Sequence, residues 1–251
     1  MTLATLPTTR DEAWRYASSK GLAALTPEAL DNWKEIELAA GETRRHALVL
    51  DAQHPGVHRV RLTLGEGARA ELFAVLTGGE YTRLEVEVRL ARGAHFELGG
   101  VTLGGSESTR EIVTRLDHAE PEATSNQVVR SVHWGKGTGN FLGTIEVARD
   151  AQKTDAAQSF KGLLLEKGAS VNAVPQLEIF ADDVKCAHGA TVGQLDESAR
   201  YCMAARGLSP KQAKRLLVQA FLGDALVALD DEAEPARLLD PALDALQAAE
   251  L

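Results

Sequence analysis

Cysteine is nearly absent from this sequence. Cys186 and Cys202 are the only two in 251 residues, too few for a disulfide framework, which fits a reducing cytoplasm. Aromatic residues make up only 5% of the chain, which weakens any reading in which sugars or bases stack along a binding surface. Positive charge is in deficit, with 27 Lys and Arg against 36 Asp and Glu and a formal charge of −9. Such a chain repels phosphate backbones, so nucleic acid is excluded as a partner. No run approaches the ~18 consecutive apolar residues of a membrane span. The opening MTLATLPTTRDEAW has neither a basic region nor an apolar run, so no secretory signal is expected. A cytoplasmic protein is the expectation.

What is present falls into three zones: residues 1–43, 44–193 and 194–251. In the first, Asp11-Glu12-Ala13-Trp14 opens a short helix, and Thr26-Pro27-Glu28 supplies an N-cap, a proline at the first helical position and an acidic first turn. Trp14 and Tyr16 are expected to pack into a core. From residue 44 the period changes. HALVLDA, HRVRLTL, RLEVEVRL, GTIEVA and PQLEIFA are short, alternating and rich in Val, Ile and Leu. A small motif recurs between them, at Gly67-Ala68, Gly93-Ala94, Asp150-Ala151, Gly168-Ala169 and Gly189-Ala190, with a degenerate copy near Ala119. A repeat of ~20–30 residues built of strands and a small-residue turn signals a solenoid. The spacing is too irregular for six-residue rungs. The expected fold is therefore mainly β, a right-handed parallel β-helix with N-terminal and C-terminal helical segments. A β-sandwich with glycine-rich turns is the competing architecture.

The last zone is helical. Asp196 caps a helix running to about Arg206, with Gly207 placed just beyond its end. Ser209-Pro210-Lys211-Gln212 reads as a capping box, and Ala213, Leu216, Leu217, Ala220, Phe221 and Leu222 fall on roughly one stripe. Asp240-Pro241 is expected to cap a third helix. Together these helices are expected to cover one end of the solenoid.

Chemistry is concentrated at Cys186 and His188. In an extended segment both project from one face, while Lys185 and Ala187 point the other way. Thiolate and imidazole suit iron, zinc or copper, but two ligands cannot close a tetrahedral site, so the rest must come from another chain or a sulfide-containing guest. The plainer alternative has Cys186 packing as a small hydrophobe and His188 bonded in a turn. Asp182-Asp183 point to opposite faces and read as a solvated turn. HWGKGTGN, with Gly135, Gly137 and Gly139, lacks the lysine-serine pair of a phosphate loop and reads as a corner. Cys202 is expected in a helix core. No nucleophile–base–orienter set is visible, so the protein is read as a non-enzyme.

Residues 144–222 carry a longer signature. AQKTDA, PQLEIFADDVKCAHGATVGQLD, the turn at Ala205-Arg206-Gly207 and the helix ending in Ala220-Phe221 together resemble the SufB/SufD family of iron–sulfur cluster assembly, its SufD branch most closely. Ala187 stands where that family commonly has serine. The resemblance implies a scaffold role beside a SufB-like subunit and a SufC-like ABC-type ATPase, or a homodimer when these are absent. It implies no tightly bound cofactor but a transient iron–sulfur cluster at the subunit interface. His188, with Cys186, would stand near a SufB cysteine, and Arg206, Gly207, Leu217 and Phe221 would lie in the ATPase-docking helices. Parallel β-helices also host carbohydrate-active enzymes, and a self-contained homodimeric metal chaperone is a third reading.

Overall fold

Twelve short strands, most rich in Val, Ile and Leu, follow one another: β1 (Trp33–Leu38), β2 (Thr43–Leu50), β3 (Gly56–Leu64), β4 (Arg69–Leu76), β5 (Tyr81–Leu90), β6 (His95–Gly104), β7 (Thr109–His118), β8 (Thr124–His133), β9 (Thr138–Val147), β10 (Asp155–Leu164), β11 (Ser170–Ile179) and β12 (Lys185–Gly193). The structure, a computed structural model, describes residues 6–229 and 233–249. The outermost residues of both expected helical segments therefore lie outside the described residues. Odd strands form one six-stranded sheet in the order β1-β3-β5-β7-β9-β11, and even strands form a second, β2 to β12. All pairings are parallel. The chain thus winds as a parallel β-helix, each coil giving one strand to each sheet. A sandwich of antiparallel hairpins is ruled out by the parallel pairing.

Between the sheets runs one apolar column that includes Leu62, Leu64, Leu84, Phe96, Leu98, Phe141 and Phe160. Phe141 and Phe160 stack across it, 5.3 Å between ring centroids. The turn motif is partly redistributed. Gly67 and Gly93, both with positive φ, stand at one corner, where each donates its N–H to the next coil. Glu122-Ala123 and Lys153-Thr154 continue that corner, in place of the copy expected near Ala119 and of Asp150-Ala151. Gly168 belongs to the opposite corner with Gly135, and Gly189 lies inside β12. Lengthening coils explain the drift: register neighbours are 26 positions apart at Arg61–Glu87 and 32 at Asn140–Asn172.

Three expectations about the flanks are corrected. The stretch 1–43 is not wholly helical. After a 3-10 turn (Glu12–Trp14), α1 (Ser19–Ala23) and α2 (Pro27–Leu30), β1 already pairs with β3, burying Ile36 and Leu38, so the solenoid opens at Trp33. The C-terminal helices α3 (Glu197–Ala205), α4 (Pro210–Gly223) and α5 (Ala233–Ala248) do not cover an end. Val218, Leu222, Leu239, Leu243 and Leu246 pack on Phe73, Val75, Val101, Leu103 and Val132, which point outward from the even sheet. β4 is therefore buried on both faces, as its near-continuous apolar run AELFAVL requires. Arg130 clamps this layer, reaching Asp224 just after α4 at 2.6 Å and the Ser159 carbonyl at 3.0 Å. Pro241 does not start a helix but sits within α5. Leu238 and Leu239 before it and Leu243 and Leu246 after it are all buried, and that packing holds the helix through the missing hydrogen bond.

Candidate functional site

The last coil places Cys186 and His188. Across the ladder Cys186 faces Ala156, His188 faces Gln158 and Ala190 faces Phe160. Ala156, Gln158 and Phe160 are buried in the solenoid interior, so Cys186 and His188 stand on the continuation of the inner face, where the column opens at its end. β11 and β12 are the terminal strands of their sheets, and β12 is exposed along nearly its whole length. Both expected residues thus share one face at one open edge.

Their environments differ. Cys186 is half-buried against Ala151, Ala156, Ala181 and Leu177. Burial pushes its thiol pKa up and the nearby Asp155 carboxylate adds to this, against a hydrogen bond from the Ala156 backbone. A thiol so placed stays protonated at neutral pH until a cation or metal draws off its proton. His188 is exposed. Among the described residues no group of three or more His, Cys, Asp or Glu side chains could hold a metal ion. Cys186 and His188 are two donors and do not by themselves make a closed site. Asp182 and Asp183 are exposed in the β11–β12 turn, where the Asp183 carbonyl accepts from the Lys153 backbone at 2.6 Å.

The two ends of the solenoid are unlike. β1, WKEIEL, and β2, TRRHALVL, guard the first edge with Lys34, Glu35, Glu37, Arg44 and Arg45. β11 and β12 together carry two charged residues, Glu178 and Lys185. Charge along an edge discourages strand addition and Pro175 interrupts β11, so β12 is the terminal strand left most open to a further coil.

The helices that follow are a separate region. Arg206 closes α3, and Gly207, at φ +87°, ends it in the left-handed conformation. Leu217 and Phe221 are half-buried, Phe221 against the layer over the even sheet. The side chains left bare are others: Tyr201 is 76% exposed, Val227 77% and Leu216 44%. Cys202, expected in a core, is exposed, because α3 buries no residue at all. Tyr201 was readable from the sequence only as a neighbour of Cys202. Stripe periodicity cannot tell a helix on a sheet from one standing free.

A family model described as SUF system FeS cluster assembly, SufBD core domain, matches residues 35–221. The chain belongs to the SufB/SufD family. Within it the likeness is to SufD. The iron–sulfur cluster assembly protein SufD of Escherichia coli (strain K12) is 40% identical over 119 residues, covering 47% of this chain and 28% of that protein. Protein ABCI7, chloroplastic, of Arabidopsis thaliana is 41% identical over 107 residues, covering 42% and 22%. An iron–sulfur cluster assembly SufBD family protein of Mycobacterium leprae is 28% identical over 183 residues, covering 69% and 46%. The matched stretch is thus less than half of each of these relatives. Among the described residues no helix is long and apolar enough to cross a membrane.

Proposed function

We propose that this SufB/SufD-family chain is a non-catalytic scaffold for iron–sulfur cluster assembly in the cytoplasm, with the open end of its solenoid docked on a SufB-like subunit. The observation that carries the reading is the sparsely charged final edge, with Cys186 and His188 on its inward face. A partner solenoid adding its own strand there would satisfy the free backbone groups and bring further ligands to the same strip. The nascent cluster is cargo at that junction, with no tightly bound cofactor in this chain. His188 offers an imidazole, either as a ligand to iron or as a proton carrier for a partner thiolate. The bare helix α3 and the exposed positions of α4, with Arg206, Gly207, Leu217 and Phe221 alongside, dock a SufC-like ATPase. Without these partners the same edge supports a homodimer.

A carbohydrate-active β-helix is less well supported. Most carboxylates along the outer face of the odd sheet pair with arginines: Glu85 with Arg59, Glu35 and Glu87 with Arg61, and Glu146 with Arg115. The test is complementation of a strain lacking the gene. His188→Ala is expected to abolish growth under iron limitation while the complex still elutes intact. Cys186→Ala should be milder. Both changes cost at most ~1–3 kcal/mol of stability. Normal growth of the His188→Ala strain would end this reading. A lost complex would instead make His188 an interface residue.

A further inference from the structure

The interior column changes character as it nears the open end. At one level, four successive even strands place Leu98, Gln127, Gln158 and His188 side by side. The odd strands place Val86, Thr114, Gly143 and Pro175 along the matching ladder. An apolar pair therefore gives way to amides and a hydroxyl for two coils before His188. Gln127 is 0% exposed and Gln158 2%. Yet both amide atoms of each, and the Thr114 hydroxyl, have no hydrogen-bond partner among the described residues. Buried amides left unpaired are costly, so a group placed here without a partner is waiting for one.

Room has been kept for Gln158. A Cβ at Gly143 would lie 2.1 Å from Gln158 Nε2, so any side chain there would displace the amide. In-register parallel strands stand ~4.8 Å apart, the spacing at which stacked amides bond to one another and to the next rung. The next rung after Gln158 is His188, its in-register neighbour on the same face of the sheet.

We propose that Gln158 is the positioning residue of His188: its Oε1 accepts the N–H of the neutral imidazole, with Gln127 supporting the amide from the coil below. This fixes which ring nitrogen carries the proton and leaves the other, with its lone pair, facing out of the open end. Ligating histidines are commonly oriented by such a bond. The inference rests on His188 being the working group of the open end, but its test does not depend on cluster assembly.

The chain is labelled with nitrogen-15 in histidine, and its long-range proton–nitrogen spectrum is recorded at pH 8, with His188 assigned by its loss in His188→Ala. The expected result is one dominant His188 tautomer in the unaltered chain. In Gln158→Leu, matched in size but with no polar atoms, His188 should show the mixture of a free imidazole. Gln158→Glu, which keeps an acceptor, should restore the single form. Circular dichroism and melting confirm that each variant is folded, and Gln158→Met replaces Gln158→Leu if that chain fails to fold. An unchanged tautomer in the folded apolar variant overturns the proposal and leaves the amides to buried water. A tautomer that follows Gln158 beside normal growth of His188→Ala would sustain the bond and remove only the assembly role.

Discussion

His133 and His118 are buried neutral in the solenoid interior, His133 between the Gly104 carbonyl and the Ser131 hydroxyl, each at 3.0 Å. Burial holds the His133 pKa down to about 3, with the Arg110 guanidinium adding to it, and burial holds His118 at about 4. Both start from 6.5 in the unfolded chain, so between these values the unfolded state binds more protons than the folded one. The stability they contribute is complete above pH 6.5 and is lost as pH falls toward 4 and then 3. Each such proton is worth about 1.4 kcal/mol per pH unit. Urea midpoints should be flat from pH 8 to 7 and fall clearly by pH 5, less so in His133→Gln if that variant folds. Equal midpoints at pH 7 and 5 would contradict this. The sequence alone could not show that these histidines are buried. Whether a residue points inward depends on strand register, and register here drifts with every lengthening coil. For His188 and Cys186 the local spacing was enough, because two residues apart in a strand share a face whatever the register.

At the scale of elements, the N-terminal segment is held as a strap across the outer face of the odd sheet. Arg83, fully buried, bonds Glu85 at 2.6 Å, Glu111 at 3.1 Å and the Ala13 carbonyl at 2.8 Å, with its guanidinium 3.7 Å from the Trp14 ring centroid. Tyr81 donates to Glu111 at 2.6 Å, and Asn140 bonds both Glu111 and the Tyr16 carbonyl. Removing Arg83 leaves the Glu111 carboxylate buried without its cation. Arg83→Met should therefore cost about 3–5 kcal/mol and free the strap. Urea denaturation gives the loss, and a red shift of tryptophan emission from Trp14 reports the detachment. A melt unchanged from the parent would show that the network holds nothing. The caps were legible here, since Thr26 accepts from the Ala29 N–H at 3.3 Å and Ser209 makes a complete capping box. The strand β1 and the continuous helix through Pro241 were not. In both, a weak or contrary local signal is overridden by packing against elements distant in sequence.

At the scale of the molecule, the parallel solenoid was readable because short apolar strands recur locally, although of the expected turn copies only Gly67 and Gly93 share one corner. The site of the C-terminal helices was not, because it depends on the outward residues of the even strands. Those residues look like ordinary strand positions until the sheet is built. Their placement decides how ATPase docking can be tested. Deleting residues 194–251 would bare Phe73, Val75, Val101, Leu103 and Val132, all fully buried now, as one apolar face. Such a truncation should aggregate, and a failed pull-down from it would say nothing about docking. Phe221 carries a similar ambiguity, being half-buried against that layer. The informative side chains are Tyr201 and Leu216, exposed on α3 and α4. Tyr201→Ala with Leu216→Ala should leave the melting temperature within about 4 °C of the parent, since surface changes rarely exceed ±0.5 kcal/mol each. If α3 and α4 dock the ATPase, the same pair should weaken its capture at least tenfold, because exposed aromatics so often anchor interfaces. Undiminished capture by the folded double variant would move the ATPase contact away from these helices.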